Sequence, residues 1–207
     1  MGRDALRGNS GRLHSQCRKT RPWFAPTIPG MKFNSLHSTI GLCSAAVLTG
    51  RSERTWRRRV NEGLTGGVGE VGGPLLVPVE AVRPLLAVAL QDDEVEMLVR
   101  ADQGDALAQA EIGALFAMNA LQAAGQNDLA PHAKGGCVAP AFHFLAQAAE
   151  QHKADAMHWQ GMLHAAGLGK GDGKALAMMW IAKAAAHGHQ IAQRQLAALV
   201  PGGSLSG

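Results

Sequence analysis

The chain has 207 residues, a formal net charge of +4, 46% hydrophobic residues and only 4% aromatic residues. No stretch approaches the roughly 20 apolar residues of a membrane-spanning helix, which argues against an integral membrane protein of that kind. Scarce aromatic residues together with abundant Ala and Gly suit closely packed short helices better than a sheet sandwich, so we predict a mostly α-helical protein.

The positive charge is concentrated at the beginning of the chain. Residues 1–30 hold six Lys or Arg and one acid, residues 31–99 hold seven and eight, and residues 100–207 hold seven of each. The net charge of the chain therefore comes from its first thirty residues. Any nucleic-acid interaction elsewhere has to depend on a local basic surface.

Residues 1–30 show no apolar period and are rich in Gly, Pro, Ser and Arg, which predicts disorder. Met31 begins the sequence MKFNSLHS, immediately before the first segment expected to be structured. Two interpretations stay open. Translation starts at Met31 and the upstream residues are a mis-called start, or residues 1–30 form a basic arm that makes non-specific phosphate contacts.

The next segment, residues 44–63, has the pattern of two helices joined by a tight turn. An apolar stretch closes the first helix, Gly50 permits a turn conformation that is costly for other residues, and Ser52 can cap the second helix. Five arginines lie between positions 51 and 59, against one acid, Glu53. This order predicts a helix-turn-helix that presents its second helix to DNA.

The second helix has two different faces. Trp56 and Val60 are four residues apart and should anchor the helix in the core. Arginines on the outer face can bind guanine edges bidentately or contact phosphates. The predicted groove contacts are Arg54, Arg57 and Arg58, and the residues expected nearer the DNA backbone are Arg51, Ser52 and Thr55.

A Gly-rich segment follows. Its glycines bracket Val68, Val71 and residues 75–77, which predicts a two-stranded hairpin. The range 78–90 is then predicted to be a third helix with Pro78 in its first turn.

This order of elements resembles the excisionase-like and MerR-like DNA-binding family, in which a Thr-bearing recognition helix is followed by a Gly-rich wing closed by an Ile-Pro dipeptide. The resemblance implies a small winged helix-turn-helix that binds double-stranded DNA. Arg59 departs from the family, which often has an aromatic residue there, and the bulky residue is Trp56. The matching residues are Ala45, Ala46, Leu48, Gly50, Ser52, Thr55, Arg58, Val60, Gly63, Val77, Pro78 and Leu85.

Two other interpretations of the arginine-rich helix stay open. Charge clusters are commonly solvated helix faces, and a basic helix can also contact an acidic protein. Acidic residues of the following helix or linker bring the segment close to neutrality, although a local positive patch can survive a neutral sum. Those acids are Asp92, Asp93, Glu94 and Glu96.

The second half of the chain contains a repeat. Ala156 and Gly161 recur as Ala108 and Gly113, and Ala192 opens a third copy. A fixed internal spacing that returns after a few tens of residues is typical of two-helix repeats.

The second copy resembles a Sel-one-like repeat, a relative of the tetratricopeptide repeat. The resemblance places Gly161 where two helices cross, Asp172 at a helix cap, Trp180 on the second helix and Gly188 at its end. The first copy departs from this pattern in an insertion around residues 122–139, expected to be an extended surface loop, in Phe144 near the expected Trp, and in Gln151 in place of the helix-ending Gly.

The sequence contains no constellation that indicates an enzyme, a cofactor or a metal site. The histidines match no standard ligand spacing. The Gly-rich ranges 66–73 and 167–173 lack the Lys-Ser/Thr ending of a phosphate-binding loop. Three widely spaced cysteines fit a reducing, cytoplasmic setting.

We therefore expect a winged helix-turn-helix over residues 31–100 and a solenoid-like array of α-α repeats over residues 101–207. The predicted function is a cytoplasmic DNA-binding transcriptional regulator whose repeats bind a protein partner or mediate self-association, with a homodimer expected. One alternative is a protein-interaction adaptor that does not bind DNA. Another is an exported repeat protein, with Met31 opening a signal peptide whose apolar core is the range 40–48.

Overall fold

The structure, a computed structural model, describes residues 38–64, 74–125 and 136–199. These residues are mostly helical, which confirms the predicted fold class at that level. The predictions for residues 1–30, Val68 and Val71 lie outside the described residues.

The described elements are two short strands and a series of helices. The strands are β1 (Thr39–Gly41) and β2 (Leu76–Pro78). The helices are α1 (Leu42–Thr49), α2 (Glu53–Asn61), α3 (Val79–Val82), α4 (Asp92–Asp102), α5 (Ala106–Ala124), α6 (Val138–Glu150), α7 (Ala154–Ala165), α8 (Gly173–Ala186) and α9 (Gln190–Leu199).

The two strands pair with each other in an antiparallel ladder. Ile40 lies opposite Val77, and both side chains are fully buried. The strand predicted at residues 75–77 therefore forms one residue later, and its partner among the described residues is β1. The other half of the predicted hairpin lies outside the described residues. This pairing brings the chain that follows α2 back to the residues that precede α1.

The predicted third helix is wrong in its length. Helix α3 ends at Val82, a 3₁₀ turn spans Arg83–Leu85, and residues 86–91 lie outside any helix. Pro84 has no N–H to donate to the preceding turn of the helix. The chain leaves the helical conformation at Leu86, whose backbone is extended with ψ 141°. The Arg83 guanidinium holds the segment that follows, donating hydrogen bonds to the Leu90 carbonyl at 2.9 Å and to Asp92 at 3.1 Å.

Helix α4 lies across the domain boundary expected near residue 100. It packs against both β1 and α5, and Asp102 near its end accepts a hydrogen bond from the Gly41 amide at 2.8 Å. Its buried Leu98 belongs to the same hydrophobic core as Trp56 and Phe116. The described residues belong to one compact unit with a continuous core.

The same turn ends α4, α6 and α8. In each turn one residue has a positive φ, and the amide of the next residue donates back to a carbonyl of the helix at 3.0 Å. The positive-φ residues are Gly104 (95°), His152 (62°) and Gly188 (89°). Their intervals along the chain equal those of Ala108, Ala156 and Ala192. The helix-ending glycine position of the first copy, predicted at Gln151, is therefore occupied by His152.

The insertion predicted around residues 122–139 is not a loop at either of its ends. Helix α5 continues through Ala124, and α6 begins at Val138. Both ends of the expected loop are therefore helical. Residues 126–135 lie outside the described residues.

Two buried glycines lie where paired helices meet. A Cβ added to Gly113 of α5 would lie 2.8 Å from the Leu145 side chain of α6. A Cβ added to Gly161 of α7 would lie 2.8 Å from Ile181 Cγ1 of α8, and 3.3 Å from the Ala177 carbonyl oxygen. Glycine at these two positions allows the helix axes to approach closely.

We predict that Gly161→Val destabilises the protein, because the added methyl groups overlap Ile181 and the backbone of α8. The free energy of unfolding should fall by about 1–3 kcal/mol, as for other overpacked cores. Chemical denaturation measures it. Gly125→Ala is the matched control, since a Cβ there meets only backbone atoms at 3.6 Å and 3.8 Å. Equal stability of the Gly161→Val variant and the wild type would contradict the close helix contact.

A chain of side-chain amides connects α5, α6 and the turn after α6. Gln151 Nε2 donates to Gln109 Oε1 at 2.8 Å, and Gln109 Nε2 donates to both Gln147 Oε1 at 2.9 Å and the Ala101 carbonyl at 3.0 Å. Gln147 Nε2 therefore faces His143 Nε2, 2.9 Å away. Because an amide nitrogen only donates, that imidazole nitrogen is the acceptor, and His143 is neutral in this arrangement.

We predict that stability falls on acidification below about pH 6.5. Burial lowers the pKa of His143 below its ordinary value, an effect that nearby Asp102 opposes, and burial also lowers the pKa values of His158 and His164. The unfolded chain then binds more protons than the folded chain between the folded pKa values and about 6.5. The contribution of these histidines to the free energy of unfolding is therefore fully present above about pH 6.5 and decreases below it.

Chemical denaturation between pH 7.5 and pH 5 measures this loss. Each histidine contributes a slope of at most about 1.4 kcal/mol per pH unit. His143→Gln keeps an acceptor for Gln147 and should make the decrease smaller. An unchanged or increased stability at pH 5 would contradict the neutral state of the buried histidines.

Candidate nucleic-acid interface

The junction between α1 and α2 forms as local capping chemistry predicts. Helix α1 is followed by Gly50 in the left-handed conformation, with φ 65°. Ser52 is extended at the N-cap of α2, and its hydroxyl accepts a hydrogen bond from the Thr55 amide at 3.2 Å. Ser52 Oγ also lies 2.9 Å from Thr55 Oγ1. These contacts satisfy amides at the start of α2 that have no partner within the helix.

Trp56 anchors α2 on α1. Its indole is fully buried, and Val60, one turn later, is buried in the same core, as predicted. The indole N–H donates to Thr49 Oγ1 at 3.0 Å, and the Thr49 hydroxyl donates to the Ala45 carbonyl at 2.6 Å. A hydroxyl that accepts one hydrogen bond and donates another connects the two helices through a single oxygen, which fixes the rotation of α2 about its axis.

The outward face of α2 carries the three predicted groove residues. Arg54, Arg57 and Arg58 are all exposed. Arg58 lies 3.9 Å from Glu62, and an ion pair between two exposed side chains contributes little energy. Within the described residues, Arg54 and Arg57 form no ion pair.

The residues predicted to lie nearer the DNA backbone are at the start of α2. Arg51 is partly buried, and Ser52 is exposed. Arg54 and Arg58 are four residues apart and lie along one side of α2, whereas Arg51 immediately precedes the N-cap Ser52. The structure therefore brings the six predicted residues together on one end and the outer side of α2.

Arg59 has a contact that sequence reasoning missed. Its guanidinium carbon lies 5.6 Å from the centroid of the Trp56 ring, close enough for a cation–π interaction. The spacing of three residues between Trp56 and Arg59 is the available sequence signal, since residues three apart are neighbours on a helix. Arg59 therefore covers the core residue, whereas the other arginines of α2 face solvent.

Two acids that were expected to offset the basic helix are engaged in their own segment. Asp92 pairs with Arg83 at 3.1 Å. Glu94 is buried, and its carboxylate accepts a hydrogen bond from the Gln91 amide at 2.8 Å. Neither of these contacts neutralises an arginine of α2.

Among the described residues, no group of three or more His, Cys, Asp or Glu side chains is arranged to hold a metal ion. None of the described helices is both long and apolar enough to cross a membrane.

No protein-family model matches the chain, and the comparisons with curated proteins and with solved structures find no similar protein. The resemblances to winged helix-turn-helix proteins and to Sel-one-like repeats therefore stay predictions.

We predict that Thr49→Val weakens the fold, because valine matches threonine in shape but leaves the buried Trp56 N–H without an acceptor. The expected loss is about 1–3 kcal/mol in the free energy of unfolding. Denaturation followed by tryptophan fluorescence measures it. Cys43→Ala, an exposed position on the same helix, is the control and should change stability by less than about 0.5 kcal/mol. If Thr49→Val and Cys43→Ala change the free energy of unfolding equally, the hydrogen bond from Trp56 to the Thr49 hydroxyl does not stabilise the fold.

Proposed function

We propose that the protein is a DNA-binding transcriptional regulator and that residues 31–100 contain its winged helix-turn-helix, with α2 as the recognition helix. One observation carries the proposal: α2 buries Trp56 and Val60 and exposes Arg54, Arg57 and Arg58 on the outer side. A helix held by one face, with cations on the opposite face, suits insertion into a groove lined by phosphates.

Arginine is well matched to both kinds of DNA contact. Its planar guanidinium donates two parallel hydrogen bonds to guanine O6 and N7 in the major groove, and it binds phosphate oxygens in the same way. Arg54 and Arg57 form no ion pair within the described chain, so binding DNA costs them no internal partner. Arg51, Ser52 and Thr55 lie at the helix start, where contacts to the DNA backbone commonly set the orientation of a recognition helix.

The pairing of β1 with β2 supports the winged interpretation. The Gly-rich segment joins the end of α2 to β2, and β2 lies beside the strand that leads into α1. In the family that the sequence resembles, the corresponding segment is the wing, closed by an apolar-Pro dipeptide that matches Val77 and Pro78.

The helices α5 to α9 are proposed to be Sel-one-like repeats that bind a protein partner or mediate self-association in a cytoplasmic homodimer. The turns after α4, α6 and α8 recur at the same intervals as Ala108, Ala156 and Ala192, and this spacing and the two glycine contacts support a repeated architecture. Exposed apolar side chains on its last two helices suit a protein contact. They are Met178, Met179 and Ile191, which are exposed by 48%, 38% and 49%.

Selection from a pool of random 30-base-pair duplexes, with the full-length chain immobilised, tests DNA binding without a known operator. Enrichment of a common motif is the expected result. The affinity for the selected duplex should fall steeply with salt, because each neutralised phosphate releases counterions. Failure to enrich a motif, together with no binding to duplex DNA at 50 mM salt, would reject the proposal in favour of an acidic protein partner for α2.

We predict that the double variant Arg57→Ala, Arg58→Ala weakens binding to the selected duplex by at least about tenfold, since each lost arginine contact costs on the order of 1–3 kcal/mol. Fluorescence anisotropy at fixed salt measures the affinity. Arg194→Ala removes an exposed arginine of α9 and serves as the charge-matched control for one substitution. The single variants Arg57→Ala and Arg58→Ala are compared with this control. An equal loss of affinity in all three would mean that net charge, and not the α2 surface, determines the affinity.

A further inference from the structure

A surface cavity of about 920 Å³, widely open to solvent, lies where α1 and α6 meet α7 and the loop that follows it. Its walls are mostly apolar and include Val47 from α1, Val138 and Phe142 from α6, and Leu168 from the loop. Its polar lining residues include His164 of α7 and Lys170 of the loop. The volume lies within the range of roughly 300–1,000 Å³ that is common for small-molecule sites.

We propose that this cavity binds a small amphipathic carboxylic acid, whose apolar part contacts Val47, Phe142 and Leu168 and whose carboxylate pairs with Lys170. None of these residues belongs to the proposed DNA-binding surface of α2, so the proposal does not depend on DNA binding.

The charges around the cavity favour an anion. No acidic side chain is among the described lining residues, and Lys170 is exposed without an ion-pair partner in the described chain. The two lining histidines do not add charge near neutral pH, because burial lowers the pKa values of His143 and His164. One ammonium group beside apolar walls matches a ligand with one carboxylate.

His164 packs beneath the loop that forms one side of the cavity. The side chain is buried, with 8% of the residue exposed, and its Nδ1 has no hydrogen-bond partner among the described residues. Its ring packs edge-on against Phe142, with the ring centroids 5.1 Å apart. This nitrogen has no accessible surface because the backbone of residue 169 covers it, so His164 contributes packing and not a polar contact to the cavity.

The loop after α7 is held directly on this imidazole. A Cβ added to Gly169 would lie 2.2 Å from His164 Nδ1, so the backbone of residue 169 rests on the ring. This contact keeps Leu168 and Lys170 at the cavity. The positions of the apolar wall and of the cation are therefore set by the same packing.

Isothermal titration calorimetry of the full chain at pH 7.5 tests the proposal, with octanoate as the probe and 1-octanol as its uncharged counterpart. We expect octanoate to bind at one site and more tightly than 1-octanol. Lys170→Gln should weaken octanoate about fivefold, as expected for an exposed ion pair, and leave 1-octanol unchanged. Lys174→Gln, an exposed lysine outside the cavity, is the matched control and should change neither affinity.

Ala139→Phe tests the location of the site. Ala139 is exposed and lines the cavity, so a phenyl ring there should narrow the cavity and weaken the binding of both probes without disturbing the core. Circular dichroism verifies the fold of each variant. Absence of octanoate binding to the wild type, or octanoate binding unchanged by Ala139→Phe, would overturn the site. Equal effects of Lys170→Gln on octanoate and 1-octanol would overturn the carboxylate assignment.

Discussion

The orientation of α2 depends on the burial of Trp56. The indole occupies the core and donates to Thr49, whose hydroxyl in turn donates to the Ala45 carbonyl, so α1 and α2 share a continuous path of hydrogen bonds. A buried indole N–H requires an acceptor, and few rotations of α2 would supply one. The exposed arginines follow from this arrangement. With Trp56 facing the core, helix geometry places Arg54, Arg57 and Arg58 on the outer side of α2.

Helix α4 connects the proposed DNA-binding helices to the repeat-like helices. It packs on β1 and on α5, and its Asp102 accepts the Gly41 hydrogen bond at the beginning of α1. A boundary near residue 100 would have to divide a helix with buried residues that belong to one core. The two proposed activities therefore reside in one compact unit, and the cavity bordered by α1, α6 and α7 lies within it.

The repeat-like helices show how a recurring structure tolerates departures in sequence. The turn after α6 has the same hydrogen bonds as those after α4 and α8, although His152 takes the conformation that glycine adopts in the other two. A non-glycine residue in that conformation is strained, and the repeated packing around it offsets the cost. The glycines at the helix contacts show no such substitution, because a side chain there would overlap the partner helix.

The local features of the α2 surface could be read from the sequence alone. Ser52 as a cap, Trp56 and Val60 as anchors and the outward arginines depend on capping chemistry and on the period of one helix, which neighbouring residues determine. The end of α3 near Pro84 has an equally local cause. The sequence prediction used Pro78 as the start of a helix and did not use Pro84 as its end. Only the tertiary structure decided the partner of β2, the acceptor for Trp56, the neutral state of His143 and the cavity beside Lys170, because each joins groups from elements distant in the chain.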